Sequence, residues 1–152
     1  MTTGDTLAMA EGVCARRGQR FTPLRREVLA VIAAAERPLG AYDIIALMRG
    51  DRRQVAPPTI YRTLEFLAAQ GLVHRVHSRN AYVVCRHADG DHSAELLVCK
   101  ACGRVLEVPC TTLGAHVVDH AAAHGFTADA VAVEVHGTCR TCATDGPPGG
   151  LE

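Results

Sequence analysis

Residues 59–85, TIYRTLEFLAAQGLVHRVHSRNAYVVC, contain a change of hydrophobic period that decides the fold of the first half of the chain. From Ile60 to Ala68 the apolar residues recur at helical spacing, and Gly71 ends that pattern. Two short runs, 72–77 and 81–85, are rich in valine and are joined by Ser-Arg-Asn, which is typical of a hairpin. The stretch therefore predicts a helix that begins at Thr59, runs through Gln70 and leads into a β-hairpin.

Three more helices are predicted upstream. Residues 6–17 have a mixed helical pattern, and Thr22-Pro23 is a strong helix start because threonine caps the helix and proline fits its first turn. A short helix over residues 41–49 follows, with Ile44, Ile45, Leu47 and Met48 predicted to face inward. Helices followed by a hairpin predict a winged helix-turn-helix, although three-helix modules also serve as plain interaction domains.

The second half predicts a small α+β unit after a polar linker at residues 86–93. Strands are expected at 95–98 and 105–108, and a helix at 112–124. A last strand is indicated by the alternation of Val131, Val133 and Val135 with more polar residues. The sequence after Cys142 is rich in proline and glycine and is predicted to be disordered.

The net charge of the 152-residue chain is zero, but this average conceals two different halves. Residues 1–84 contain twelve arginines and seven acids, a net charge of +5, whereas residues 85–152 carry a net charge of −5. All eight histidines lie at or beyond His74, and six of the seven cysteines at or beyond Cys85. The charge distribution favours a basic half that binds nucleic acid and an acidic half rich in metal-binding side chains.

A signal peptide or membrane segment is not predicted. The longest uninterrupted apolar run, residues 28–35, has eight residues, whereas a membrane span needs about 20. The first thirty residues contain five arginines and no compact apolar stretch. We therefore expect a cytoplasmic protein with no membrane partner, in a reducing compartment where closely spaced cysteines more often bind metal than form disulfides.

Two CxxC pairs, Cys99/Cys102 and Cys139/Cys142, are the sharpest chemical signal in the sequence. Each CxxC turn presents two thiolates on one side of a loop, and two such turns complete a tetrahedral sulfur shell that suits zinc. Because four protein ligands leave no open position, this zinc is predicted to be structural rather than catalytic. A disulfide and a redox-active CxxC are the alternatives.

Four further donors, His74, Cys85, His92 and Glu107, are scattered along the chain. Their spacing alone does not join them. They can also be interpreted as four unrelated residues: His74 as a histidine of the wing, Cys85 as a buried cysteine, His92 as a histidine of the linker and Glu107 as a glutamate of a strand. If they converge, they form a mixed sulfur, nitrogen and oxygen site.

Six sequence motifs together resemble the ferric uptake regulator (Fur) family, most closely its zinc-sensing branch. They cover residues 7–143 in the family's order. The motifs are TPLR at 22–25, AYD at 41–43, PTIYRTL at 58–64, GLV at 71–73, CKACG at 99–103 and HGTCRTC at 136–142. The resemblance implies a dimeric, zinc-responsive transcriptional repressor in which a winged helix precedes a dimerisation domain.

The resemblance also assigns the metal ligands. It matches the four paired cysteines to the family's structural zinc ligands, and His74, Cys85, His92 and Glu107 to the regulatory site of the zinc branch. Two zinc ions per chain follow from this assignment. A third site in part of the family would use His124 with His87 or Asp89, but the His-rich run that precedes the first CxxC in the iron-sensing pattern is absent here. The spacing of His116, His120 and His124 places all three on one helix face, which favours a solvated surface.

The resemblance makes the helix that starts at Thr59 the DNA-recognition helix. Thr59, Tyr61 and Arg62 are predicted to point outward, with Arg62 suited to bidentate reading of guanine in the major groove. Tyr61 suits a thymine methyl group or a phosphate. The further phosphate-contact candidates are Arg25, Tyr42 and Arg79. Arg37, Arg52 and Arg53 are predicted to be solvated.

The complete prediction is an α+β protein with a winged-helix DNA-binding domain at 1–84, a hinge at 85–93, a dimerisation and metal-binding domain at 94–143 and a tail at 144–152. Its partners are a palindromic DNA operator and a second copy of the chain, and it controls zinc-uptake genes. The alternatives are a family member that senses another metal or thiol oxidation, through Cys85, Cys110 or Cys14, and a zinc enzyme. The chain lacks the HExxH and deaminase motifs, and neither catalysis nor a small-molecule substrate is expected.

Overall fold

The computed structural model describes residues 1–48, 55–88, 93–110, 112–129 and 131–146, and the chain divides into two compact units, Met1–Gly90 and Asp91–Glu152. The elements of the first unit are α1 (Thr3–Arg16), α2 (Pro23–Ala34), α3 (Ala41–Met48), α4 (Pro57–Ala69), β1 (Val73–Val76) and β2 (Ala81–Val84). Those of the second are β3 (Ser93–Cys99), β4 (Val105–Cys110), α5 (Thr112–Ala123), β5 (Val133–Gly137) and α6 (Arg140–Asp145). None of the described helices combines the length and apolar character needed to cross a bilayer.

The first unit is the predicted winged helix-turn-helix, and its core is formed by buried residues of α1, α2, α3, α4 and the wing. Ile60, Leu64 and Leu67 of α4 are fully buried, as are Val28 and Leu29 of α2. The three α4 residues recur four and three positions apart, and in α2 the buried Ile32 follows Val28 by four positions and Leu29 by three. Each helix therefore turns one continuous apolar stripe toward its neighbours. The expectation of a buried Leu47 is wrong: Leu47 is 59% exposed because it lies beside the stripe that Ile44, Ile45 and Met48 form on α3.

Helix α4 begins earlier than the sequence predicts. Its first residue is Pro57, and Ala56 occupies the N-cap position, so the start predicted at Thr59 is wrong by two residues. Pro57 and Pro58 both fit the first turn because the N–H groups they lack have no partner within a helix at that point. The helix ends as expected: Gln70 is the C-cap, and Gly71 adopts a φ of 65° in the left-handed region.

The wing is an antiparallel hairpin of β1 and β2, in which Val73 lies opposite Val84 and Val76 opposite Ala81. A short bridge between Leu39 and Tyr82, with both backbone hydrogen bonds formed, ties the segment before α3 to the wing. The turn of the hairpin is a single 3₁₀ turn over His77–Arg79 followed by Asn80 at φ 46°. Arg75 donates to the Asn80 side chain at 2.8 Å, so the tip has a defined conformation.

The second unit has a three-stranded sheet in the order β4–β3–β5, in which β3 is antiparallel to β4 and parallel to β5. Helix α5 lies between β4 and β5 in the chain, as a parallel crossover requires. The strand predicted from Val131 begins instead at Val133. Helix α6 was not predicted, and it extends through Asp145 into the stretch expected to be a disordered tail.

The left-handed conformation of Asn80 predicts a specific order of stability at the wing tip. Asn80→Ala should be less stable than Asn80→Gly by about 1 kcal/mol, because alanine pays the Cβ penalty of the left-handed region and glycine does not. Both variants lose the same hydrogen bond from Arg75, so the comparison isolates the backbone term. Urea unfolding followed by circular dichroism measures the difference. Equal midpoints for the two variants would contradict this explanation.

Candidate metal centres and nucleic-acid interface

The topology of the second unit brings the two CxxC pairs together. Cys99 is the last residue of β3, and its partner in β5 is Gly137, two residues before Cys139. The turn that contains Cys102 is closed by a hydrogen bond from the Gly103 N–H to the Cys99 carbonyl at 3.0 Å. Cys139 is the N-cap of α6, and Cys142 lies in its first turn. The unpredicted helix therefore has a direct role, since it turns Cys142 back toward the other three thiols.

The four sulfur atoms have the spacing that one zinc ion requires. All four Sγ atoms lie within 4.8 Å of one another, and Cys102 and Cys139 are 3.8 Å apart. Tetrahedral coordination with Zn–S bonds of about 2.3 Å separates sulfur atoms by about 3.8 Å. Cys99 and Cys142 are buried, and none of the four is in a disulfide. The residues present fit a closed four-cysteine zinc site and leave no ligand position for substrate.

Two of the thiols have strongly perturbed acidities. The N–H of Cys139 donates to the Sγ of Cys99 at 3.3 Å, and this hydrogen bond is the main reason why the pKa of Cys99 is lowered to about 6. Burial raises the pKa of Cys142 to about 12. At neutral pH Cys99 is therefore already mainly in the thiolate form that binds metal, whereas Cys142 must lose its proton when metal binds.

His74 and Cys85 lie together in the first unit, because the hairpin register places them on one face. His74 pairs with Val83, so Cys85, two residues further along, is its diagonal neighbour. The Cys85 N–H donates to the Leu72 carbonyl at 2.9 Å, which fixes its position just after β2. The ligand atoms of His74 and Cys85 lie within 4.8 Å of each other. Cys85 is fully buried and His74 is half-buried.

The other two predicted regulatory ligands belong to the second part of the chain. Glu107 is a half-buried residue of β4, opposite Leu96 of β3. His92 lies outside the described residues. Asp89, a candidate for the third site, also lies outside them, and its companions His87 and His124 are exposed.

The histidines of α5 are exposed, as predicted for a solvated face. His116 and His120 lie on the helix, and His124 follows its last residue. The rings of His120 and His124 meet edge to face, with centroids 4.8 Å apart.

The predicted base-reading side chains are exposed on the first half of α4. Thr59, Tyr61 and Arg62 all reach the surface, while Ile60 and Leu64 on the same turns are buried. The burial of the apolar stripe thus determines which residues face outward, as the sequence predicted. Exposure is a requirement for the contact with a guanine edge that is predicted for Arg62.

The three phosphate-contact candidates differ in their surroundings. Tyr42, in the first turn of α3, is 69% exposed, and Arg79 is exposed at the wing tip. Arg25 is half-buried, and its guanidinium carbon lies 3.3 Å from the centroid of the Phe66 ring. Phe66 is not among the residues predicted from the sequence to be functional, although its position four residues after Arg62 places it one turn along the same face.

These features define a class of protein: a winged helix-turn-helix unit followed by a small unit with a tetrathiolate metal centre. The ferric uptake regulator family model matches residues 16–136 of this chain, and the chain belongs to that family.

Its relatives include regulators that bind zinc. The zinc uptake regulation protein of Escherichia coli (strain K12) is 41% identical over 144 residues, which are 93% of this chain and 83% of that protein. The solved structure of a zinc uptake regulator complexed with zinc and DNA matches with a TM-score of 0.88 at 39% identity, over 94% of this chain and 96% of that one. The crystal structure of holo XcZur matches with a TM-score of 0.83 at 39% identity, over 90% and 96%.

Removing one thiolate should empty the four-cysteine site. We expect Cys99→Ser to lose one zinc per chain and to unfold part of the second unit, because metal binding and folding are coupled in small metal-binding units. Metal analysis and circular dichroism measure the two effects. Cys14→Ala is the matched control, since Cys14 is a buried cysteine of α1 outside both ligand groups. Unchanged zinc content in Cys99→Ser would exclude the assignment of a four-cysteine zinc site.

Zinc retention by the four-cysteine site should depend on pH with a defined sign. Protons compete with zinc for thiolates, and below a pH of about 6 even Cys99 takes up a proton. We therefore expect faster and more complete transfer of zinc to a chromophoric chelator as the pH is lowered from 7.5 to 5. Transfer that is independent of pH over this range would contradict thiolate ligation.

Proposed function

We propose that this protein is a zinc-responsive transcriptional repressor that binds a palindromic operator as a homodimer and controls zinc-uptake genes in the cytoplasm. The observation that carries the proposal is the presence, in one winged-helix unit, of an exposed Arg62 on α4 and of closely spaced Cys85 and His74 ligand atoms at the base of the wing. Similarity to a zinc uptake regulator complexed with zinc and DNA supports it.

The proposed regulatory zinc is bound by His74 and Cys85 together with Glu107 and His92, as the family resemblance implies. The close approach of the His74 and Cys85 ligand atoms supports half of this set. Neutral imidazole, thiolate and carboxylate together suit zinc, whereas sites without sulfur suit manganese and iron better. With the ion of the four-cysteine site, this site accounts for two zinc ions per chain. The ligands proposed for a third site, His87, Asp89 and His124, receive no further support.

The proposed mechanism is a shift between conformations. The proposed domains at 1–84 and 94–143 hinge about residues 85–93, and the four regulatory ligands are distributed over both domains and the hinge. A zinc ion that needs all four ligands binds preferentially to the arrangement that unites them, and it populates that arrangement in proportion to its differential affinity. Repression then follows from the geometry that zinc selects.

Dimerisation is supported by an apolar row across the sheet of the second unit. Leu97 lies opposite Leu106 on one side and Val135 on the other. Leu106 is 56% exposed and Val135 45%. Exposed apolar rows of this kind are typical of surfaces that associate. A second copy of the chain would cover the row and place two recognition helices on successive major grooves, about 34 Å apart.

In the proposed complex with DNA, Arg62 reads guanine O6 and N7, and Thr59 and Tyr61 contact neighbouring bases or phosphates. Tyr42 and Arg79 bind phosphates beside the groove. A phosphate role for Arg25 competes with its packing on Phe66.

The alternative of a thiol-oxidation sensor is less well supported by the described thiols. Burial raises the pKa of Cys14, which keeps it protonated and a weak nucleophile. Cys85 is fully buried beside His74, and the side chain of Cys110 lies outside the described residues. Release of DNA by an oxidant, with zinc content unchanged, would favour this alternative.

Operator binding should require the regulatory ligands. The probe is a DNA duplex selected from a random-sequence pool by the zinc-loaded protein. We expect Cys85→Ser and His74→Ala to bind this duplex at least about tenfold more weakly at saturating zinc, since the competent conformation is then no longer favoured. Fluorescence anisotropy measures the affinity, and Cys14→Ala is the control. Wild-type affinity in both variants would disprove the proposed regulatory site.

Arg62 should determine specificity without affecting metal binding. We expect Arg62→Ala to weaken binding to the selected duplex by about 1–3 kcal/mol per half-site and to leave zinc content unchanged. Arg37→Ala, at an exposed arginine outside α4, should behave like the wild type. Unaltered affinity in Arg62→Ala would remove Arg62 from the base-reading role.

A further inference from the structure

Two arginines from other helices contact the second half of α4. Arg17, the C-cap residue of α1, donates from Nη1 to the carbonyl oxygen of Gln70 at 2.7 Å. Gln70 is the C-cap of α4, and the last carbonyls of a helix have no partner within it. A cation at this end is also attracted by the helix dipole. Arg17 therefore ties the end of α1 to the end of α4.

Arg25 makes the second contact. Its guanidinium lies over the Phe66 ring, 3.3 Å from the centroid to Cζ, and it also donates to the carbonyl oxygen of Arg20. An arginine at this distance over an aromatic face is in cation–π contact. The guanidinium is thus engaged by the fold on one flat face and along one edge, which connects the start of α2 to α4.

The two contacts lie C-terminal to the predicted base-reading side chains, one of them a single turn beyond Arg62 and the other at the C-cap of α4. Thr59, Tyr61 and Arg62 occupy its first two turns, whereas Phe66 and Gln70 lie on its last turn and at its C-cap. The N-cap residue, Ala56, provides no side-chain hydrogen bond to the first turn. Because α4 is one continuous helix of 13 residues, contacts near its C-terminal end help to set the direction of its N-terminal half, together with the buried stripe of Ile60, Leu64 and Leu67.

We infer that Arg17 and Arg25 are positioning residues that hold α4 at the angle from which Arg62 reads DNA, and that Arg25 acts through Phe66 rather than by contacting a phosphate. The inference rests on the proposed DNA-binding function. Loosening either contact lowers the fraction of chains with a correctly aligned helix, and the apparent affinity for specific DNA falls by the same factor.

A double-mutant cycle between Arg25 and Phe66 tests the inference. The affinities of Arg25→Ala, Phe66→Leu and the double variant are measured for the selected duplex at saturating zinc and several salt concentrations. We expect each single variant to bind about tenfold more weakly, and the double variant to bind no more weakly than either single one. The slope of log affinity against log salt should stay at the wild-type value. Arg37→Ala is the control for loss of an exposed arginine.

A phosphate contact at Arg25 gives the opposite pattern. Arg25→Ala would then reduce the salt slope by about 0.9 for each lost contact, and Phe66→Leu would keep wild-type affinity. Arg25→Met separates the two roles further, because methionine removes the charge but can still cover the Phe66 ring. Affinity closer to wild type than that of Arg25→Ala supports positioning. A reduced salt slope, or a Phe66→Leu variant with wild-type affinity, would overturn the inference.

Hydrogen exchange of the free zinc-loaded protein provides a readout that needs no DNA. We expect the amides of α4 to exchange faster in Arg17→Ala and Arg25→Ala than in the wild type, while α3 amides are unchanged. If the wild type selects no DNA in a zinc-dependent manner, the proposed function fails, and the exchange rates still decide whether the arginines hold α4. Wild-type exchange in both variants would overturn the inference by itself.

Discussion

Burial of the apolar stripe on α4 is the constraint on which the first unit depends. Ile60, Leu64 and Leu67 are completely removed from solvent, and each such side chain contributes roughly 1.5–3 kcal/mol of transfer free energy. Because the stripe fixes the rotation of the helix about its own axis, it also fixes that Arg62 faces outward. Directly after α4, the Leu72 N–H donates to the Leu67 carbonyl, and this hydrogen bond leads the chain into the wing. The same burial therefore also helps to position the wing residues His74 and Cys85.

The second unit has no comparable core among its described residues. Its buried apolar side chains are Leu96, Val98, Cys99 and Cys142, and the described residues of α5 are mostly exposed. A unit of this size with so little buried apolar surface generally needs a metal, disulfides or a partner for stability. The four-cysteine site links the end of β3 to α6, and the exposed row on the sheet offers a partner surface. In the proposed zinc-loaded dimer, metal binding and association supply the stability that hydrophobic burial supplies in the first unit.

The sequence predicted those features that depend on local periodicity or on fixed spacing. The helical stripes, the β1–β2 hairpin and the two CxxC pairs are all of this kind, and the structure confirms the winged helix and the grouping of the four cysteines. Helix α6 was missed because six residues are too few for a helical period to emerge beside a proline- and glycine-rich tail. The close approach of His74 and Cys85 depends on strand register, and the contact between Arg25 and Phe66 depends on tertiary packing. Neither of these two contacts can be inferred from the spacing of the residues in the sequence.

The contacts of the arginines in the structure show that the positive charge of the first half is not all available for DNA. The first 84 residues carry a net charge of +5, but at least four of their twelve arginines have partners within the fold. The four pairs are Arg17 with Gln70, Arg25 with Phe66, Arg26 with Glu11 and Arg75 with Asn80. Non-specific affinity for DNA depends on how many phosphates the protein neutralises, so arginines engaged in this way contribute less to it. In the proposed function, tight binding comes from a few well-aligned contacts that are made twice by the proposed dimer. A regulator of that kind is controlled most effectively through geometry, and the regulatory zinc site proposed at the base of the wing acts on geometry rather than on charge.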